Sequence, residues 1–410
     1  MKQSKITFLT SIGSGLEYYD YVIYVIFAGF ISQNFFPSSN RAAALFATFG
    51  VFAIGNIIRP LGGIVLGIFG DQVGRKKIFS ATLLWMALAT FVMGITPNFA
   101  TLGLAATIIF SMCRIIQGIT CGAEIPGAAT FLLEHTHEKR HGLHFGFMTS
   151  TVGLGSSFGL LVAWFLTKIL GNEAMSAWGF RLPFLFGGTL ALIGFFIRKN
   201  VPETPAFLAM EKTERRYFSI FSSGEHLKQV AKTIGILIFP ACFITFFLAL
   251  PVYLHDIYGY SFSDIYLAMT VGSLWTSTLI PLFGWASDSL IKRRTLLFIT
   301  VLVFVIFSFP VFSILGLKTR LALFGFVLFG KTIIAAMAAS YFVLLPQAFD
   351  TAIRYTGTSF SYNVAYTIAA FTPLLMNYFY GVVKQPNYIV GMLILLALIT
   401  ISSTALLRMK

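Results

Sequence analysis

Runs of predominantly apolar residues follow one another from end to end of this chain. A helix needs about 20 such residues to cross the hydrocarbon core of a bilayer. Twelve stretches are long enough: 6–34, 42–69, 78–96, 99–131, 142–170, 178–198, 230–257, 262–289, 294–315, 319–349, 352–382 and 387–408. Inside lipid every backbone N–H and C=O must be satisfied within the protein, which leaves helices or a closed barrel. The runs are continuous rather than alternating, so they predict helices. Only 11% of the 410 residues are charged and 57% are hydrophobic, whereas a soluble domain carries about 25% charged residues. The polar shell that a soluble core requires is missing. The predicted class is an all-α membrane protein with twelve transmembrane helices in two six-helix bundles. The bundles cover 1–198 and 230–410, and a polar cytoplasmic linker at 199–229 joins them.

The net charge of +14 has the sign of a nucleic-acid binder, but its distribution does not. About 20 of the 29 Lys and Arg fall at the termini and in alternate loops. About 5 fall in the opposite loops, namely Arg41, Lys168, Lys318, Arg320 and Lys384, and the rest lie within spans. By the positive-inside rule both termini face the cytoplasm. The basicity is a topology signal, and no nucleic-acid partner is expected. Lys2 and Lys5 before an apolar run imitate a signal peptide. The run carries Glu17 and Asp20 and lacks a small-residue cleavage site, so it is predicted to be a retained first helix.

Several local patterns imitate other chemistries. Gly155–Gly159, "GSSFG", matches a nucleophile elbow, but no strand precedes it; small-residue helix packing is predicted instead. The pairs Gly63/Gly67 and Gly118/Gly122 are read the same way. "HTHEKRH" at His135–His141 has no ligand spacing of known geometry and is predicted to be a solvated loop. Cys113, Cys121 and Cys242 are scattered and read as small core residues. No metal or cofactor is expected, and no nucleophile–base constellation survives, so an enzyme is not expected.

The two halves echo each other. Gly67, Asp71 and Arg75 are spaced four and four, and Gly284, Asp288 and Lys292 repeat that spacing. A fainter echo links Arg140 and Gly142 to Arg354 and Gly357. Matching offsets near half the length indicate duplication. Two homologous bundles with a cytoplasmic linker form a transporter architecture, in which the halves rock about a midplane site.

Specific motifs then point to a family. "GIFGDQVGRKK" at loop 2–3 resembles the signature of the major facilitator superfamily, and "CRIIQGITCGAE" resembles its helix 4 motif. "GSGLEYYDY", "IRPLGG", "RLPFLFG" and "VPETPAF" resemble the metabolite:proton symporter branch, which includes proline/betaine, citrate, α-ketoglutarate and shikimate transporters. The second-half copy of the loop signature carries Ile291 where the pattern has Gly. The resemblance implies the major facilitator fold and proton-coupled import of a small organic acid, amino acid or betaine-like solute. A proton-driven efflux antiporter and a non-transporting membrane sensor are the alternatives. The implied location is the bacterial inner membrane, with solute, protons and the bilayer as partners. One chain suffices to form such a pathway.

Charges inside spans nominate the working residues, because a central charge costs about 2.5–3.5 kcal/mol on insertion scales. Arg59 and Arg181 present planar forks suited to a carboxylate, and the resemblance implies these two positions for carboxylate-transporting members; an interfacial position for Arg181 is the competing reading. Lys331, deep in the tenth span, is a further candidate, as are Tyr362 and Asn363 on the eleventh. Asn363 also suits a plain interhelical hydrogen bond, and Pro373 a kink. The proton-coupling candidates are Asp20, Glu124 and Glu17, against fixed salt bridges to Arg59 or Arg114. Arg114 is assigned as a structural or coupling partner for an acid. The resemblance implies that Asp71 and Arg75 pair across the inner helix ends as a gate, and Asp288 and Arg293 are their candidates in the second half.

Overall fold

The computed structural model describes residues 3–38, 41–199, 201–210, 220, 223–379 and 387–406. Lys2, Lys384, the end of the predicted span 352–382 and much of the linker 199–229 lie outside the described residues. All regular structure among the described residues is helical. The chain divides into two compact units, Met1–His135 with Thr151–Tyr217, and Thr136–Ser150 with Phe218–Lys410.

The first unit contains α1 (Gln3–Ile26), α2 (Ala28–Phe35), α3 (Arg41–Ile57), α4 (Arg59–Val73), α5 (Arg75–Ile95), α6 (Phe99–Leu102) and α7 (Leu104–His135). It also takes the greater part of α8 (His141–Ala174), then α9 (Arg181–Arg198) and the short α10 (Pro205–Ala209). α5 packs along both α7 and α9, α4 along α7, and α1 against α7 and α9. Glycines set the spacing of both α3 and α4 against α7. A Cβ on Gly118 would strike the Gly55 carbonyl oxygen, and one on Gly122 the Arg59 carbonyl oxygen. Only hydrogen at these positions lets the backbones approach so closely. Gly155 lies against the Gly15 carbonyl in the same way, which makes "GSSFG" a packing element between α1 and α8.

The second unit holds the first residues of α8 and then α11 (Gly224–Tyr258), α12 (Phe262–Ser289), α13 (Arg293–Ser313), α14 (Arg320–Gln347), α15 (Arg354–Ala369), α16 (Thr372–Asn377) and α17 (Asn387–Leu406). α12 and α13 pack on α14, and α11 packs on α15 and α17. A ladder of rings, Phe239, Phe243, Phe246 and Phe247, runs down α11 and meets Phe304, Phe312 and Phe326.

Both units turn large apolar side chains outward. Phe46, Leu104 and Trp164 in the first unit, and Leu248, Leu282 and Leu321 in the second, are all more than half exposed. Apolar exposure on this scale suits lipid rather than water. Ten helical stretches among the described residues are long and apolar enough to cross a membrane. The other two predicted spans, 6–34 and 352–382, are occupied by interrupted and more polar helices. α1 gives way to α2 at Phe27, and α15 to α16 near Phe371, where Pro373 sits in the first turn of the new helix. A third interruption falls at Ile58, so that Arg59 and Pro60 open α4 in mid-span. Proline tolerates the first turn because its missing N–H has no intrahelical acceptor there.

Candidate functional site

A polar stripe runs through the interior of the first unit. On α1 it comprises Gly13, Glu17 and Asp20; on α7 it comprises Arg114, Gln117, Cys121 and Glu124. Both sets follow the three-and-four spacing of one helical face. Glu17 pairs with Arg59 at 2.9 Å. Glu124 pairs with Arg198 at 2.7 Å and accepts from the Thr82 hydroxyl at 2.7 Å. Arg198 also donates to the Phe79 carbonyl, and its guanidinium lies 3.7 Å from the centroid of the Phe79 ring. Gly13 makes this pair possible: a Cβ there would overlap the Arg198 guanidinium.

Asp20 is built differently. Among the described residues no cation lies within salt-bridge distance of it. Its Oδ2 accepts from the Thr90 hydroxyl at 2.6 Å. Thr90 in turn accepts from Gln117 Nε2 at 2.8 Å, and Gln117 Oε1 accepts from Arg114 at 2.9 Å. Arg114 stands over the rings of Tyr24 and Phe52, 4.6 Å from each centroid. Arg114 is thus linked to Asp20 through two neutral side chains rather than by an ion pair. Asp20, Thr90, Arg114 and Gln117 are all buried.

The loop 2–3 residues form a second cluster. Arg75 is wholly buried; it meets Asp71 at 3.1 Å and Glu134 at 3.3 Å, and its guanidinium lies 5.1 Å from the centroid of Phe207. The segment after α9 closes this cluster. Thr204 donates to Glu134, and Glu203 accepts from the backbone N–H groups of Lys76 and Thr204. The residue before α5 is Gly74, at φ 128°, which has no side chain with which to cap the helix. Glu203 supplies that acceptor from 127 residues away, and its negative charge suits a helix N-terminus.

In the second unit Asp288 pairs with Arg293 at 2.7 Å. Both carboxylate oxygens also accept backbone N–H groups, from Gly142 and Leu143, each at 2.8 Å. These are among the first N–H groups of α8, which have no intrahelical acceptor. Arg293 donates further to the Glu138 carbonyl. The histidines of "HTHEKRH" are engaged locally: His135 with the Phe131 carbonyl, His137 as a cap for the turn Glu138–Arg140, and His141 with the Thr136 carbonyl.

The remaining candidates are dispersed. Arg181 caps the far end of α5, donating to the carbonyls of Gly94 and Thr96. The structure does not bring it to Arg59, which opens α4 in mid-span. Lys331 donates to Ser273 at 3.3 Å and lies 5.6 Å from the Phe247 centroid; among the described residues no acid pairs with it. Tyr362 stacks on Tyr366 at 4.4 Å, and Asn363 donates to the Ser359 carbonyl of its own helix. The Tyr362 ring lies 6.0 Å from that of Phe342, which is about three turns from Lys331 on α14. Sequence reasoning missed Arg198, Glu134, Glu203, Thr90 and Gln117. Arg198 sits in an "RKN" run at a span end and reads as a topology charge; Thr90 and Gln117 carry no charge to betray them.

Comparison with known proteins identifies the architecture. The family model of the Major Facilitator Superfamily matches residues 10–373. The inner membrane metabolite transport protein YhjE of Escherichia coli is 31% identical over 387 residues, covering 90% of this chain and 86% of its own. A proline/betaine transporter of Salmonella typhimurium is 29% identical over 386 residues, covering 89% and 75%. Among solved structures, the proton:xylose symporter XylE bound to 6-bromo-6-deoxy-D-glucose superposes with a TM-score of 0.77 at 16% identity, covering 98% of this chain and 94% of that one. From its helical fold, its loop 2–3 cluster and these matches, the chain belongs to the Major Facilitator Superfamily.

Proposed function

We propose that this protein is a proton-coupled importer of a small organic acid, amino acid or betaine-like solute, working by alternating access. The relatives named as proline/betaine and metabolite transporters support the solute class. The observation that carries the proton assignment is the contrast among the buried acids. Glu17 and Glu124 each hold an arginine, at 2.9 and 2.7 Å. Asp20 holds a hydroxyl and, among the described residues, no cation. An uncompensated carboxylate in a buried site is costly, and a proton removes that charge. Asp20 is therefore the proton carrier in this reading, and Glu17 and Glu124 are fixed partners of Arg59 and Arg198.

Arg59 is the proposed solute contact in the first unit, and Lys331, Tyr362 and Asn363 are the proposed solute contacts in the second. Arg59 keeps a partly exposed side chain beside its glutamate, and Lys331 has no acid to neutralise it among the described residues. Arg181 acts as a helix cap, and Asp71–Arg75 and Asp288–Arg293 act as inner latches. The moving parts are the bundles 1–198 and 230–410, joined by the linker 199–229. The proposed setting is a bacterial inner membrane with both termini in the cytoplasm. Each proton moving inward contributes about 2.3 kcal/mol per 100 mV, which drives uptake. The test is Asp20→Asn: accumulation is lost while solute exchange at equal concentration persists. Accumulation at the wild-type level in that variant refutes the assignment.

A further inference from the structure

We propose that Thr90 is a two-position hydrogen-bond switch that lets Asp20 gain and lose a proton without stranding a buried polar group, with Gln117 and Arg114 fixing its direction. The proposal rests on the reading of Asp20 as the proton carrier.

The directions follow from what each group can donate. A guanidinium only donates, so Arg114 fixes Gln117 Oε1 toward itself and Nε2 toward Thr90. The Thr90 oxygen therefore always accepts from Gln117. It keeps one further lone pair and one proton. Two acceptors compete for that proton: Asp20 Oδ2 at 2.6 Å and the Met86 carbonyl, one turn back on α5, at 2.9 Å. With Asp20 ionised, the hydroxyl donates to the carboxylate. When a proton arriving from solvent as hydronium adds to Oδ2 and water is released, Asp20 becomes the donor and fills the remaining lone pair of Thr90. The Thr90 proton then turns to the Met86 carbonyl. Every member keeps a partner in both states, and only the Thr90 hydroxyl rotates.

The other carboxylate oxygen cannot hold the proton as well. Oδ1 has no hydrogen-bond partner among the described residues and faces Gly187 on α9, where a Cβ would sit 2.9 Å away. A proton there is a buried donor without an acceptor. The charged and titratable groups facing Asp20 are few. From α7 they are Arg114 and Cys121, and from α1 Tyr19, whose hydroxyl is committed to the Pro183 carbonyl. Among the described contacts α5 offers Thr90 and α9 Gly187, neither of which titrates. Thr90 is thus a positioning residue for proton loading.

The test uses purified full-length protein in lipid nanodiscs and infrared titration of protonated-carboxyl C=O bands, which needs no solute. Asp20→Asn identifies the Asp20 band by its loss. Thr90→Ser keeps the hydroxyl and is expected to keep the wild-type half-titration pH. Thr90→Val and Thr90→Ala each lose a bond that is stronger to the ionised acid than to the neutral one. They are expected to hold the proton about tenfold more tightly, a displacement of about one pH unit, and to move the C=O frequency. Two substitutes guard against one failing to fold. An unchanged midpoint in both, with the band absent in Asp20→Asn, overturns the switch alone. No band lost in Asp20→Asn overturns the carrier assignment and the switch with it.

Discussion

Replacing Arg198 by methionine removes one half of a buried ion pair and leaves the other in place. Glu124 is 0% exposed and Arg198 2%. The substitution strips Glu124 of a 2.7 Å guanidinium contact and leaves it, among the described residues, only the Thr82 hydroxyl. Methionine approximately refills the space beside the Phe79 ring, so the loss is mainly electrostatic. Breaking one side of a buried pair costs about 3–5 kcal/mol. For the first unit unfolding by itself, residues 1–135 and 151–217, that is a fall in unfolding temperature of roughly 10 °C. The double change Glu124→Gln with Arg198→Met removes both charges and recovers most of the loss, because no charge is then left uncompensated. A thiol-reactive fluorophore can follow unfolding, since Cys113 and Cys242 are buried in the native state. If the single and double variants melt together, or the single variant melts with wild type, the pair does not hold α7 to α9 as described.

Three further outcomes follow from named contacts. Gly122→Val drives a side chain into the Arg59 carbonyl and Gly63, so little folded protein is expected on size-exclusion chromatography. Glu203→Ala removes the acceptor for the Lys76 N–H at the start of α5; a loss of about 1 kcal/mol is expected in thermal unfolding, with Glu203→Gln recovering part of it. Asp288→Ala removes both the Arg293 pair and the cap of α8. A pair acting as the proposed latch alters rates and not the driving force, so initial uptake is expected to slow while the steady-state accumulation ratio holds.

The helical membrane fold is legible because hydrocarbon imposes its length requirement on every span. The interruptions at Phe27, Ile58 and Phe371 are not, since apolar composition runs straight through them and only Pro60 and Pro373 mark two of the three. Charges inside spans announce themselves through their insertion cost, so Glu17, Asp20, Glu124, Arg59, Arg114 and Lys331 stand out in sequence. Their partners do not. Glu124 on α7 holds Arg198 rather than Arg59 or Arg114, a choice set by the packing of α9 across Gly13. Thr90 and Gln117 are invisible to any charge count, yet they join Arg114 to Asp20. Glu203 reads as a loop charge until the fold returns it to the start of α5.

The central claim is inward transport driven by protons, and one measurement addresses it directly. Purified protein in proteoliposomes, under an imposed inward proton gradient, is offered a pool of labelled dicarboxylates, tricarboxylates, amino acids and betaines. At least one solute is expected to accumulate inside, and an uncoupler is expected to abolish that accumulation. Accumulation that survives the uncoupler with no other ion gradient present, or solute movement only against an oppositely directed gradient, contradicts the account.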